Sequence, residues 1–506
     1  MLIKNMVRNS FFSLLSQVLI IAAGFFSQRV LFLQAGRELV GMNSVISNIL
    51  AILSVSELGI STAVVFHLYQ ALAGKNEAEI AALMNLYRRA YIIFAAVITA
   101  LGLCVMPHVH LFLKNNSFSL RYVRLIYGMW LLRTVLSYLL SYRRSILIAD
   151  QKEYVVSIMT TAASVSNYLL IIVIVGLTSD YVLALGMNIV VEAAGNAALS
   201  YYVGRRYPFL KKLRNEPLPR TVVLQIFSDV KNIFIMRLSS KLLTCTDSLI
   251  ISGFINVGTV GVYANYSLIT QSVTNLILAL SNAVSPSIGA LFVEQDREKN
   301  YRALRLLTFA FFFVAVTAAL GLLALMQPFI GDLWLDRGSL LGFPIVVCCA
   351  LNCFVQTLGL PLTAAMNVSG LFERERNISL ISAMVNLAVS LALVRTYGIA
   401  GVLAGTGCSY FVQMILHLTV FFRDFLKCSF LGYLTELVQY TLLAGAEMWA
   451  VVKVTGIVYG SGGFLRFLAV GILCVFVSAG VNLAVFCRSE RMAELFGMMR
   501  GLWKRG

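Results

Sequence analysis

Apolar runs of 18 or more residues recur from one end of the chain to the other, with short polar stretches between them. An α-helix needs about 20 such residues to cross the hydrocarbon core of a bilayer. The pattern predicts fourteen spanning helices, near 11–33, 44–67, 90–113, 123–142, 155–177, 181–203, 233–254, 260–280, 303–326, 340–366, 378–394, 398–422, 434–458 and 464–487. A membrane β-barrel would alternate apolar and polar residues in blocks of about ten, which this chain does not do. The expected class is therefore an all-α polytopic membrane protein. The run at 11–33 exceeds the length of a signal-peptide core and has no small-residue cleavage site, so it reads as a spanning helix.

Composition agrees with that pattern. Of 506 residues, 59% are hydrophobic and 12% charged, and a soluble chain carries about twice that charged share. Nine cysteines, almost all inside apolar runs and without CxxC spacing, read as free thiols, and four histidines leave little material for a metal site. No metal, cofactor or catalytic residue is expected.

The formal charge of +17 changes the picture through its placement. The basic clusters "RRSILIADQK", "GRRYPFLKKLRNEPLPR", "REKNYRALR" and "RSERMAELFGMMRGLWKRG" all fall on one side if both termini are cytoplasmic. This asymmetry reports orientation and contact with anionic lipid, and not nucleic acid.

Two segments repeat in order. "VRNSFF" at 7–12 recurs as "VKNIFI" at 230–235, and "VGMNSVIS" at 40–47 as "VGVYANYS" at 260–267. Six spans per half run the same way through the membrane, as in parallel-repeat transporters, whose sites lie near the midplane. The expected organisation is an N-lobe at 1–203, a proline-bearing cytoplasmic linker at 204–232 and a C-lobe at 233–422. Two additional helices at 423–487 and a basic cytoplasmic tail at 488–506 complete it.

Charges inside the spans mark candidate sites, because each costs about 2.5–3.5 kcal/mol at the middle of a bilayer on the insertion scale. Arg237 and Lys241, in "IMRLSSKLLTC", are i, i+4 neighbours on one helical face. Lys241 is too deep to snorkel easily to the inner interface, and both are candidates for a polar cavity. Arg29, in "FFSQRVLFL", could line the same cavity or snorkel outward. Arg133, near the middle of its span, is a further candidate for the cavity and its diphosphate, with an ion pair to Glu57 or Glu192 as the alternative. Asp247 and Glu57 are candidates for binding a coupling ion or pairing between lobes. Glu447 and Lys453, outside the repeat, read as structural. A chamber lined by such cations suits an anionic head group.

The stretches "LSVSELGISTAVVFHLYQALA", "SYRRSILIADQKEYV" and "TDSLIISGFINVGTVGVYANYSLI" resemble the polysaccharide biosynthesis family of lipid-linked oligosaccharide (Wzx-type) flippases. That family lies within the superfamily of lipid II flippases and multidrug-and-toxin exporters. The resemblance implies two six-helix lobes in a V, opening alternately to each side, and Arg29, Arg237 and Lys241 are the nearest match to the family's cavity charges. It implies a polyprenyl-diphosphate-linked glycan as cargo and the bacterial cytoplasmic membrane as location. Glycan polymerase or glycosyltransferase machinery is a further candidate partner, and the two additional helices could hold the lipid tail.

A flippase meets a definite physical problem. The polyprenyl tail is at home in either leaflet, whereas each unpaired hydroxyl in hydrocarbon costs several kcal/mol and an ionised phosphate far more. An inside-negative potential favours outward movement of two negative charges by roughly 4–5 kcal/mol per 100 mV, and no GxxxxGK[ST] loop points to ATP. Antiport of H⁺ or Na⁺ is the alternative energy source. A cation-coupled multidrug exporter is the second reading. A membrane glycan polymerase or ligase is the third, weakened by short outer loops, the lack of a D-x-D motif, and outer acids (Asp332, Asp336) confined to one short loop.

Overall fold

The computed structural model describes residues 2–54, 56–213, 218, 220–293, 297–458 and 463–494, with side chains left out at 2–11, 14, 56–63, 220–222, 224–225, 227–232, 283–293, 454–458 and 466. Every described element is helical. The principal helices are α1 (Leu2–Leu53), α2 (Ser56–Ala73), α3 (Glu77–Val105), α4 (Leu120–Ser141), α5 (Arg144–Ala149), α6 (Glu153–Leu170) and α7 (Tyr181–Arg206). They continue with α8 (Arg220–Phe254), α9 (Val257–Val293), α10 (Arg297–Pro328), α11 (Phe343–Val368), α12 (Phe372–Val420), α13 (Leu431–Val458) and α14 (Phe464–Phe486).

The expected spans fall on these helices, except that 44–67 divides between the second arm of α1 and α2; α12 contains two of them. The helix α1 breaks at Gly36 (φ +85°) and α12 at Gly398 (φ +59°). Only glycine adopts such left-handed, extended backbone without strain. Around Gly398 the chain folds back on itself. Asn386 Nδ2 donates to Thr406 Oγ1 at 2.9 Å and Ser390 Oγ to the Val402 carbonyl at 3.1 Å, which pins the two arms together.

Nine stretches are long and apolar enough to cross a membrane among the described residues. The helices α8 and α9 are not among them, and their polar content explains why. The first carries Arg237, Ser239, Ser240, Lys241, Thr244, Thr246, Asp247 and Ser248, the second Asn265, Thr270, Gln271, Ser272, Thr274 and Asn275. Both also outrun their expected ends, α8 starting at Arg220 and α9 reaching Val293. Backbone hydrogen bonds continue a helix after its side chains have stopped being apolar, so hydropathy marks the span and not the helix.

By packing, the chain divides into two compact units, Met1–Ala264 and Asn265–Gly506. In the first, α1 lies against α6, α4 and α6 against α7, and α8 against both α1 and α2. Its tightest approach is between the second arm of α1 and the start of α9. A Cβ on Gly41 would lie 1.9 Å from the Val257 carbonyl oxygen, and one on Gly261 would lie 1.8 Å from that of Arg37. The contact is reciprocal: each glycine meets the carbonyl four residues before the other, and both pairs are 220 residues apart. These glycines occupy equal places in "VGMNSVIS" and "VGVYANYS", so the repeat read in the sequence meets itself about a local twofold. The 112–117 segment reaches both partners of this contact. Lys114 Nζ donates to the Phe254 carbonyl (3.2 Å), Val257 N to the Lys114 carbonyl (3.1 Å), and Ser117 N to Glu38 Oε2 (3.0 Å).

In the second unit α10 and α11 form the buried centre, with α12 against α11 and both α13 and α14 against α10. An aromatic cluster of Phe309, Phe312, Tyr440 and Phe486 joins α10, α13 and α14. Below it Glu436 accepts from Arg305 and from Arg491 (2.7 Å).

Candidate functional site

The candidate residues divide by what surrounds them. On α8 Ser239 and, toward its end, Leu243, Cys245, Thr246, Asp247 and Ser248 are buried. Ser248 Oγ meets Ser44 Oγ of α1 at 3.3 Å. The earlier part of the helix carries Arg237, Ser240 and Thr244, all exposed, with Lys241 half-buried among them. Their i, i+3, i+4, i+7 spacing makes one continuous stripe. Neither cation makes an ion pair among the described residues. Thr244 Oγ1 donates back to the Ser240 carbonyl at 3.2 Å, so its hydroxyl is satisfied without leaving the helix. Asp247, three residues beyond Thr244 and seven beyond Ser240, follows the same line of the helix but is buried.

Arg29 is also exposed, but its stripe on α1 consists of Leu15, Leu19, Ala22, Phe26 and Leu33. It is the single charge on an apolar face.

Arg133 is in a third environment. Its Nε donates to Glu192 Oε2 of α7 at 2.5 Å, and its guanidinium lies over the Trp130 ring at 4.9 Å. Of the two acids expected as partners, Glu192 pairs with it. The Glu57 side chain lies outside the described residues, although its backbone belongs to α2. The Arg133–Glu192 pair borders a cavity of about 140 Å³ between α4, α6 and α7, whose polar lining includes Arg144, Thr160, Ser164, Asn167 and Asn196. Such a volume holds several waters. Gly195 keeps α6 and α7 close here, since a Cβ on it would come within 3.2 Å of Ala163 Cβ.

Two groups of residues had no clear signal in the sequence. Ser240 and Thr244 are ordinary helix residues until their shared exposure with the cations is known. Asn167 and Asn196 join the cavity from different helices. At the helix ends, the "RRSILIADQK" cluster is fastened by Tyr207, which also went unmarked. Its hydroxyl donates to Asp150 Oδ2 at 2.5 Å, and Lys152 pairs with the same oxygen. Burial, then the Asp150 carboxylate, push the Tyr207 phenol well above its ordinary range. No group of acids, histidines or cysteines suited to a metal ion occurs among the described residues.

Comparison with known proteins places the fold. No curated protein matches the chain in sequence. The lipid II flippase MurJ, in an inward closed conformation, is similar over 95% of this chain and 100% of its own, with TM-score 0.62 and 15% identity. A multidrug resistance MATE family transporter of the MOP superfamily, in an inward-facing conformation, is similar over 88% and 99%, with TM-score 0.59 and 14% identity. A MOP superfamily transporter from Pyrococcus furiosus is similar over 84% and 97%, with TM-score 0.58 and 14% identity. Residues 69–292 match the family model described as polysaccharide biosynthesis protein. The chain thus has the fold shared by the lipid II flippase and the MATE transporters and, from the end of α2 through α9, the sequence pattern of the polysaccharide biosynthesis proteins.

Proposed function

We propose that this protein is a flippase carrying polyprenyl-diphosphate-linked oligosaccharide from the inner to the outer leaflet of a bacterial plasma membrane, with both termini cytoplasmic. The observation that carries this reading is the α8 stripe, in which two cations without ion-pair partners among the described residues share one line of the helix with exposed Ser240 and Thr244. A face turned to lipid would not collect four polar residues in succession. A face turned to water would, and a diphosphate entering that water meets Arg237 and Lys241 about one turn apart. Guanidinium and ammonium donors replace part of the hydration that the phosphates lose, through charge-assisted bonds. The sugar meets hydroxyl groups, for which Ser240 and Thr244 on α8 are suited. The tail stays in the bilayer throughout.

The lobes of this reading are 1–203 and 233–422, with alternating access between them. The membrane potential favours the outward step, and Asp247 and Glu57 are the candidates should an ion be coupled to it. Anionic lipids and the enzymes that make and polymerise the glycan are the expected partners. The fold also serves MATE exporters, but a cationic drug would meet like charge on α8.

The test is Arg237→Ala with Lys241→Ala. Loss of two charge-assisted contacts, about 1.5–3 kcal/mol each, should cut export of lipid-linked saccharide at least tenfold while the amount of protein in the membrane is unchanged. Unchanged export would leave both residues as snorkelling cations and remove the basis for the reading.

A further inference from the structure

The helices added beyond the two six-span halves carry a buried acid that the flippase reading does not use. Glu447 of α13 and Asn482 of α14 are 3% and 0% exposed. Asn482 Nδ2 donates to Glu447 Oε1 at 2.9 Å and to the Ser478 carbonyl at 2.7 Å, which occupies both amide protons. Ser478 Oγ in turn meets Thr317 Oγ1 of α10 at 3.0 Å, so three helices converge on this polar point. Two oxygens remain. Glu447 Oε2 and Asn482 Oδ1 are both buried, and neither receives a hydrogen bond among the described residues.

Both orphans are acceptors, and they belong to side chains already joined by one bond. A carboxyl and a primary amide that share one hydrogen bond can close a second, antiparallel to it, if the carboxyl carries a proton. We propose that Glu447 is a proton-binding site, held as the neutral acid, with Oε2–H donating to Asn482 Oδ1. One proton then satisfies both orphan oxygens and joins α13 to α14 by two bonds in place of one.

The surroundings favour this over an ionised carboxylate. No cation pairs with Glu447 among the described residues. The nearest basic residue along its helix, Lys453, is exposed and lies over the exposed Trp449 ring at 5.9 Å. Arg305 of α10 and Arg491, beyond α14, are both committed to Glu436, three helical turns away along α13. The other neighbours along α13 and α14 are Ala444, Met448, Val451 and Cys474, all buried. A bare carboxylate here would cost several kcal/mol with nothing to offset it. A metal cation would need a shell of several oxygens, and only these two are unclaimed.

The consequence is a latch made by a proton. The helices α13 and α14 pack mainly on α10; Tyr440 and Phe486 touch at one end, and this pair is their polar link within the apolar layer. Loss of the proton would place two acceptors face to face and push the helices apart.

The experiment uses the purified full-length protein at neutral pH. Infrared spectroscopy should show a protonated-carboxyl C=O band that disappears in Glu447→Gln and persists in Glu490→Gln, an exposed acid. Glu447→Gln keeps an N–H donor in place of the O–H, so its thermal unfolding midpoint should equal that of the wild type, whereas Glu447→Ala should unfold earlier. Three results would overturn the proposal: a wild type lacking the band, a Glu447→Gln variant as unstable as Glu447→Ala, or a midpoint that sodium raises in the wild type and not in Glu447→Gln. The infrared measurement on the wild type decides even if a variant fails to fold. None of these readouts depends on the transported substrate, so they stand or fall separately from the flippase reading.

Discussion

The outward faces of α8 and α1 belong to one compact unit, and each carries arginine in a segment long enough to span a membrane. They differ in company. Arg237 shares its exposed stripe with Ser240, Lys241 and Thr244, while Arg29 shares its own with Leu15, Leu19, Ala22, Phe26 and Leu33. In a lipid solvent the chemistry of an exposed stripe reports the solvent it faces, because every residue along it meets the same medium. A single charge on an apolar stripe is accommodated by its own long side chain reaching an interface. Two charges and two hydroxyls in succession require water along the whole stripe. Exposure of a charge is therefore uninformative alone and decisive once its neighbours on the stripe are read with it.

The largest expected effect comes from changing the company and leaving the charges. Replacing Ser240 and Thr244 by leucine retains Arg237 and Lys241 but makes their stripe resemble that of α1. If the stripe is a wetted wall of the transport path, export of lipid-linked saccharide should fall at least tenfold, in the range of losing one charge-assisted contact. A transport assay at matched protein levels reads it. Export within twofold of wild type would show that the polar company is incidental, and the contrast between the two faces would lose its meaning.

An intermediate effect is expected at Arg133, where a cation borders a wet cavity yet is locked to a carboxylate. Glu192→Gln leaves the guanidinium without its counter-charge. Breaking a fully buried pair costs about 3–5 kcal/mol. Both side chains here are about a quarter exposed, so solvent screening should bring the loss to about 1–2 kcal/mol. Unfolding in detergent measures it. The double replacement Arg133→Met with Glu192→Leu should recover most of that loss. If the double variant is instead stable but silent in export, Arg133 acts on the cargo and belongs with α8.

Much of the fold was legible because membrane spans are long and redundant in sequence. Glycine at 36 and 398 falls in the polar breaks "QAGREL" and "RTYGIAG", so each merged helix still shows as two apolar runs. The repeat was legible from "VGMNSVIS" and "VGVYANYS", although the reason for its glycines, a backbone contact too close for any Cβ, appears only in three dimensions. The site was legible in part. Arg237 and Lys241 declare a shared face through their i, i+4 spacing alone. The partner of Arg133 did not declare itself, since Glu57 and Glu192 are alike as mid-span acids, and the packing of α4 on α7 is what brings Glu192 to it. Asn482 was silent for the same reason: one amide in an apolar run has no visible partner until α13 and α14 come together.

The smallest effect is expected at Arg29, and it sets the scale for the others. If this side chain reaches to an interface from an apolar stripe, its charge serves no cargo. Arg29→Leu then removes a polar group from a face already made of Leu, Ala and Phe, and export should stay within about twofold of wild type, the scale of a surface substitution's few tenths of a kcal/mol. Arg29→Lys should be equally silent, because a snorkelling stem needs only length and a hydrated end. A loss as deep as that of Arg237→Ala with Lys241→Ala would mean that α1 also lines the path. The charge would then be facing the cargo from an apolar wall, and the stripe rule drawn from α8 would fail on its nearest neighbour.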